Sequence, residues 1–288
     1  DNKIKQWIYC EITGGVILGE SRAGKSTAVE MLYKNYVTRG KKQPIYCHLF
    51  SVPTRDVKTI ASAARELFIS TKQEFRSSFK TDRVIAQTTE FLMDKATLND
   101  DRMVMLWVDE CQKLTIKQME LFAELHNTLR LEGITLFAFF IGNRLESKKL
   151  MRQSRLPEYD HIGGRFFTQV YRFNGVCSKD QLKECLKSYD TTLFPKEIGP
   201  AYTEYFVPKE FKDGWRLAQE SDLIWKVFLK YKKKLGLKSW GMKYLVGTIN
   251  PLLSSYLRNY PLSRLNEKMV DRCIQVSGLI PDHVNCDE

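Results

Sequence analysis

Paired cysteines are the first thing this sequence lacks. Its seven cysteines (Cys10, Cys47, Cys111, Cys177, Cys185, Cys273 and Cys286) are odd in number and scattered, with no C-x-x-C pair, and the four histidines stand at no ligand spacing from them. A disulfide framework and a zinc site are therefore not expected, and a reducing cytoplasm is the expected compartment. Long hydrophobic runs are also missing. The longest, Ile134 to Ile141 interrupted only by Thr135, falls far short of the roughly 20 residues that span a bilayer. No membrane is expected among the partners. Low-complexity tracts and internal repeats are absent too. Outside the motifs described below, no cluster of carboxylates suits a pair of metal ions, so nuclease or strand-transfer chemistry has no support.

What is present is an ordinary globular composition over 288 residues, 43% hydrophobic and 27% charged, with a formal net charge of +11. That length accommodates one large domain, or a core domain with a smaller one. The positive balance favours a polyanionic partner without naming it. Between Lys34 and Lys80 the basic residues are Lys34, Arg39, Lys41, Lys42, Arg55, Lys58, Arg65, Lys72, Arg76 and Lys80, against Asp56, Glu66 and Glu74. A second basic cluster, Lys226 to Lys243, includes YKKKLGLK.

Buried strands are expected at Ile12–Leu18, Pro44–Phe50, Arg102–Val108 and Ile134–Ile141, with a short fifth at Thr168–Phe173. Helical periodicity fills the intervals: Lys25 to about Arg39, two helices between Val57 and Ala96 split near Ser77 to Thr81, and Ile116–Leu131. Strands alternating with helices imply an α/β fold with a parallel sheet covered on both faces. Beyond Asn174 the pattern turns helical, at Ser178–Tyr189, Glu220–Lys234, Trp240–Leu257 and Ser263–Val276. The expected organisation is a nucleotide-binding domain over 1–174 and an α-helical lid over 175–288. The aromatic-rich stretch near 191–215 reads as a loop or small hairpin whose rings pack into the lid.

GESRAGKST, from Gly19 to Thr27, follows the apolar run Val16–Leu18 and meets the pattern G-x-x-x-x-G-K-[ST]. In such a loop the backbone N–H groups of Gly19, Glu20, Ser21, Arg22, Ala23, Gly24, Lys25, Ser26 and Thr27 wrap phosphates. Lys25 reaches the β- and γ-phosphates of ATP, and Ser26 ligates Mg²⁺. RMVMLWVDE supplies an acid pair at a strand end. Asp109 would hold Mg²⁺ through water, and Glu110 would position and deprotonate the attacking water. The same pair would also serve as a plain helix cap. Asn143, at the end of the fourth strand, either orients the water or caps a helix starting at Arg144. Arg165, with Arg152 and Arg155 as alternatives, would meet the transition-state charge from a neighbouring subunit. Lys243, in SWGMKYL, would reach the phosphates from the lid of the same chain.

These elements in this order resemble an AAA+ ATPase. GESRAGKST and the D-E-x-Q-x-L run VDECQKL resemble the AAA+ regulators of DNA transposition of the TnsC/TniB type, and more distantly the phage Mu B protein. The resemblance covers roughly Val16 to Val276. It implies a bacterial, cytoplasmic ATPase that assembles with ATP and Mg²⁺ into rings or filaments on double-stranded DNA. It further implies recruitment of transposase subunits and loading by a target-selector protein of the TniQ type. In that family the DNA faces the segment after the second strand and the start of the next helix pair. Carried onto SVPTRDVK and STKQEFRSSFK, this makes Arg55, Lys58, Lys72, Arg76 and Lys80 the DNA contacts, acting as phosphate clamps. The competing readings are an AAA+ motor acting on protein, like the ExeA-type secretion ATPases, and a P-loop small-molecule kinase.

Overall fold

The computed structural model of the protein describes residues 2–34 and 45–280. Arg39, Lys41 and Lys42 of the basic tract, the expected end of the first helix and Cys286 lie outside the described residues. The chain divides into two bodies, Asp1–Glu20 with Lys25–Phe173, and Ser21–Gly24 with Asn174–Glu288.

The first body is built on a parallel sheet of five strands: β1 (Gly14–Gly19), β2 (Tyr46–Ser51), β3 (Met103–Asp109), β4 (Thr135–Asn143) and β5 (Val170–Phe173). They lie in the order β2-β3-β4-β1-β5. Side chains alternate between two apolar layers, as the pleat of a strand requires. Ile17, Met105, Trp107, Phe137, Phe139 and Ile141 pack with helices α1 (Asn2–Tyr9) and α2 (Lys25–Lys34). Val16, Leu18, Val104, Leu106, Val108, Leu136, Ala138 and Phe140 face the opposite layer. That layer is formed by α3 (Ile60–Ser70), α4 (Thr81–Ala96), α5 (Met119–Leu131), α6 (Lys148–Gln153) and α7 (Asp160–Phe166). β4 is buried over its whole interior, as its unbroken apolar sequence leads one to expect. The edge strand β5 is largely exposed.

Several boundaries differ from the sequence reading, each for a local reason. β1 starts at Gly14 because the Ile12 N–H bonds back to the Trp7 carbonyl at 2.9 Å, closing the turn after α1. α5 starts at Met119, since Thr115 and Gln118 form a reciprocal turn ahead of it: Gln118 Oε1 accepts the Thr115 N–H at 3.0 Å and Thr115 Oγ1 accepts the Gln118 N–H at 3.2 Å. The gap between α3 and α4 is also wider than expected. Residues 71–80 form a non-helical connector in which Lys72 takes φ +63°. Phe75 and Phe79 turn inward there, with their ring centroids 6.1 Å apart. Lys72 and Arg76 therefore ride on a connector rather than on a helix, and Lys80 stands at the N-cap of α4.

The second body is helical: α8 (Lys179–Thr191), α9 (Tyr202–Phe206), α10 (Pro208–Lys212), α11 (Ser221–Lys234), α12 (Met242–Pro251) and α13 (Glu267–Val276). Its core includes Leu182, Leu186, Ile224, Phe228, Trp240, Ile249, Val270 and Ile274, with Phe228 and Trp240 stacked at 4.2 Å. α12 passes into a wider π-helical stretch, Leu252–Leu257. Pro251, which has no N–H to donate, stands at that junction. The 191–215 stretch is not a hairpin. One antiparallel bridge, Leu193 to Ala201, is followed by the short helices α9 and α10. Its rings divide: Trp215 is buried and Phe206 packs against the core, whereas Phe194 and Tyr205 are exposed at 65% and 63%. Among the described residues no helix is long and apolar enough to cross a membrane.

Candidate nucleotide site

Strand register brings the first polar groups together. β1 pairs with β4 so that Gly19 lies opposite Asn143, and β2 pairs with β3 so that Ser51 lies opposite Asp109. All four residues end their strands, at the carboxyl edge where open α/β sheets bind ligands. The loop that follows β1 turns on Gly24, whose φ of +97° suits glycine alone without strain. α2 then begins at Lys25, with Ser26 and Thr27 exposed in its first turn.

Lys25 folds back along the loop, where its Nζ donates to the carbonyls of Gly19 at 3.2 Å and Glu20 at 2.8 Å. Burial lowers its pKa, while Asp109, Glu110 and Glu146 act in the opposite sense. An ammonium that is half desolvated and held on two neutral carbonyls has capacity left for an anion.

The acid pair is set by an unusual backbone. Glu110 adopts left-handed angles, φ 59° and ψ 36°, a conformation costing a non-glycine residue roughly 1–2 kcal/mol. Asp109 is buried, and its Oδ1 accepts the Glu110 N–H at 2.9 Å. Glu110 Oε2 accepts from Gln112 Nε2 at 2.9 Å and lies 3.5 Å from Lys113 Nζ. The same Gln112 amide accepts the Asn143 N–H on its Oε1 at 3.0 Å. One carboxamide thus ties the acid pair to the end of β4. The fit requires Gly142, because a Cβ there would stand 2.8 Å from Gln112 Oε1, 2.7 Å from Cys111 Sγ and 2.6 Å from Ser147 Oγ. Gln112 had no role in the sequence reading, although the D-E-x-Q-x-L run contained it.

Asn143 caps the turn that follows β4. Its Oδ1 accepts the N–H groups of Leu145 at 2.9 Å and Glu146 at 3.3 Å. The helix it was expected to start does not begin at Arg144; a turn intervenes before α6. Arg165, on α7, is held by its own body: Nη1 donates to the His161 carbonyl at 2.7 Å and Nη2 to Asn127 Oδ1 at 3.0 Å. In the second body Lys243 opens α12, and its N–H donates to the Arg22 carbonyl at 3.3 Å. Arg22 lies 5.6 Å over the Tyr244 ring. The tip of the phosphate loop is thus packed with the start of α12.

The basic candidates are distributed over two segments of the first body. Arg55 and Lys58 precede α3, and Lys72, Arg76 and Lys80 line the α3–α4 connector. All five are exposed, but Arg55 pairs with Glu66 at 2.8 Å and Arg76 with Glu74 at 3.3 Å. A cavity of about 730 Å³, absent from the sequence reading, lies between α1 and α2 and has Ile4, Gln6, Ile17, Lys25, Val29 and Phe173 in its wall.

The donor set fits a nucleoside triphosphate with Mg²⁺. The loop offers N–H groups and an ammonium to phosphate. Exposed Ser26 and buried Asp109 offer a hydroxyl and a carboxylate oxygen to a hard cation. Among the described residues no group of three or more His, Cys, Asp or Glu could hold a metal ion by itself. Phosphate oxygens and water would therefore complete the shell.

This strand order, with a phosphate loop after β1 and an acid pair after β3, defines a P-loop ATPase of the AAA+ class. Residues 13–151 match the AAA domain family; the chain has the P-loop AAA+ fold and is an ATPase. Its fold is similar to that of the Aeropyrum pernix ORC2 protein, solved as ADPNP–ADP complexes, with a TM-score of 0.51 and 12% identity over 98% of this chain and 68% of that one. Cdc6p from Pyrobaculum aerophilum gives 0.45 and 13% over 96% of this chain and 78% of that one. The Aeropyrum pernix ORC1 protein, solved in complex with DNA, gives 0.44 and 10% over 95% and 80%. The likeness to ORC2 is one of fold. No curated protein sequence matches the chain.

Proposed function

We propose that this ATPase binds double-stranded DNA without regard to sequence, assembles on it as a ring or filament when ATP is bound, and links target-site choice to a transposase in DNA transposition. The observation that carries the DNA reading is the exposed row Arg55, Lys58, Lys72, Arg76 and Lys80, displayed on the same body as Lys25, Ser26 and the acid pair. Nothing in the row resembles a base-reading module, so phosphate contacts dominate and affinity falls steeply with salt. The transposition role, with transposase subunits and a TniQ-type selector as partners, rests on the TnsC/TniB resemblance of GESRAGKST and VDECQKL.

In this reading Lys25 and the loop N–H groups bind the phosphates, while Ser26 and Asp109 would hold Mg²⁺, which when bound would supply positive charge to the phosphates. Glu110, aimed by Gln112, takes the proton from the attacking water. Asn143 holds the turn that ends β4 beside it. Arg165 of an adjacent copy stabilises the developing charge once released from Asn127, and Lys243 follows the loop from the lid. The cavity between α1 and α2 takes the base. Residues 1–174 and 175–288 act as ATPase domain and lid. Hydrolysis would release the assembly rather than drive chemistry on a substrate.

The second reading, a motor acting on protein, is favoured by one observation: the exposed Phe194 and Tyr205 of the second body. Steady-state ATPase assays with and without random-sequence duplex separate the two. The DNA reading expects stimulation that is lost in Lys58→Ala/Lys80→Ala. Turnover indifferent to DNA at low salt would hand the case to the protein-acting motor.

A further inference from the structure

The sequence RLESKKLMRQSR carries cations at Arg144, Lys148, Arg152 and Arg155, at spacings of four, four and three that a helical path gathers on one side. The turn after β4 and helix α6 follow such a path. A fifth cation, Arg172, comes to the same place from the edge strand β5. Together the five wall a cavity of about 470 Å³ whose remaining lining is Leu18, Met151 and Val170, with no acid. None of the five makes an ion pair or a side-chain hydrogen bond with another described residue. Elsewhere on this body some cations are answered, Arg55 by Glu66, Arg76 by Glu74 and Lys113 by Glu110. Five unanswered like charges around one concavity raise its potential and favour an anion. Four of them are arginines, whose planar forks match phosphoryl oxygens two at a time.

This cavity is also joined to the phosphate loop. Leu18 in its wall immediately precedes Gly19. The Arg144 N–H donates to the Gly19 carbonyl at 3.1 Å, the same oxygen that accepts from Lys25 Nζ at 3.2 Å. The Asn143 cap fixes the turn on which Arg144 sits. An anion drawing Arg144 and Lys148 together would therefore act on an oxygen that Lys25 shares.

We propose that this cavity is a second phosphate-binding site, distinct from the one that holds the hydrolysed nucleotide, and that its occupancy sets the rate of turnover through Arg144 and the Gly19 carbonyl. The chemistry recognised is the phosphoryl oxyanion, presented equally by a free polyphosphate and by a nucleic-acid backbone. The proposal rests on the ATPase reading of the loop and not on the DNA reading.

The test uses the full chain with its nucleotide site saturated by Mg·ADP and free Mg²⁺ held constant. Inorganic tripolyphosphate, a random-sequence duplex and poly-glutamate are titrated by calorimetry into the wild type and into Lys148→Ala/Arg172→Ala. ATPase rates are measured alongside, with ATP in place of ADP. Tripolyphosphate should bind the wild type, alter its turnover, and bind the double variant at least about tenfold more weakly, with basal turnover unchanged. If the duplex loses affinity in parallel, the backbone is the natural source of the phosphate; if only tripolyphosphate does, a free polyphosphate is. A duplex that fails to bind the wild type sinks the DNA reading and leaves this proposal standing. Equal tripolyphosphate affinity in wild type and variant overturns it, as does poly-glutamate binding as tightly through the same residues. Binding that leaves turnover unchanged refutes the coupling.

Discussion

Replacing Gln112 by Glu isolates the bridge between the acid pair and β4. Gln112 Nε2 donates to Glu110 Oε2 at 2.9 Å while its Oε1 accepts the Asn143 N–H at 3.0 Å. Glutamate preserves the second bond and the shape, but sets a carboxylate against a carboxylate where an amide donor stood. Two such groups at hydrogen-bond distance share a proton, so one apparent pKa of the pair rises, by about one unit or more. Each unit corresponds to about 1.4 kcal/mol. Glu110 works only when deprotonated, so the acid limb of the ATPase profile should move to higher pH in Gln112→Glu, with the rate recovering as pH rises. The stability sign is opposite to that of a paired carboxylate. A carboxyl with a raised native pKa binds more protons folded than unfolded. The variant therefore loses stability as pH climbs from the unfolded value, about 4.3, through the raised one. Gln112→Ala lowers the rate and moves the limb the same way but less, because it removes the amide donor without adding a charge. The assay is steady-state ATP hydrolysis against pH for the three proteins, with chemical denaturation at the same pH values. Superimposable profiles for wild type and Gln112→Glu would refute the wiring of Glu110 through Gln112.

Glu110→Gln should abolish turnover, by about 10²–10⁴-fold, while nucleotide binding and assembly persist; a normal rate would dismiss Glu110 as the base. Lys25→Ala should weaken ATP binding by roughly 1.5–3 kcal/mol, the loss of a charged hydrogen-bonding partner, read by calorimetry against ADP and ATP. His48 is buried beside Ser70 Oγ at 2.7 Å, and burial lowers its pKa to about 4. Its contribution is fully present above the unfolded value of about 6.5 and is lost as pH falls from there towards its native pKa. His48→Gln should flatten denaturation free energy over that window; an unchanged slope would contradict the assignment.

The phosphate loop and acid pair were legible because their chemistry demands particular residue types at fixed short spacing. The four main strands were legible because a sheet covered on both faces demands unbroken apolar runs, as in ITLFAFFI. What escaped was set by partners distant in sequence. Gln112 gains its meaning from Asn143, which strand pairing brings within 3.0 Å across 31 positions. Asn127 meets Arg165 across 38 positions, which no periodicity announces. The cationic cavity needed Arg172 from an edge strand whose exposed residues give a weak hydrophobic signal. Helices α6 and α7, with six and seven residues, are too short for a readable apolar stripe. Residues 191–215 were rich in Pro, Gly and aromatics, and that turn chemistry hid two short helices.

ATP control of DNA binding is the property on which the proposed function turns. Fluorescence anisotropy of a labelled random-sequence duplex, titrated with the protein at several salt concentrations, measures this directly when a slowly hydrolysed ATP analogue is compared with ADP. The account predicts cooperative binding that requires the analogue and weakens steeply with salt. No binding with either nucleotide at low salt would contradict it and leave the row from Arg55 to Lys80 as solvated surface.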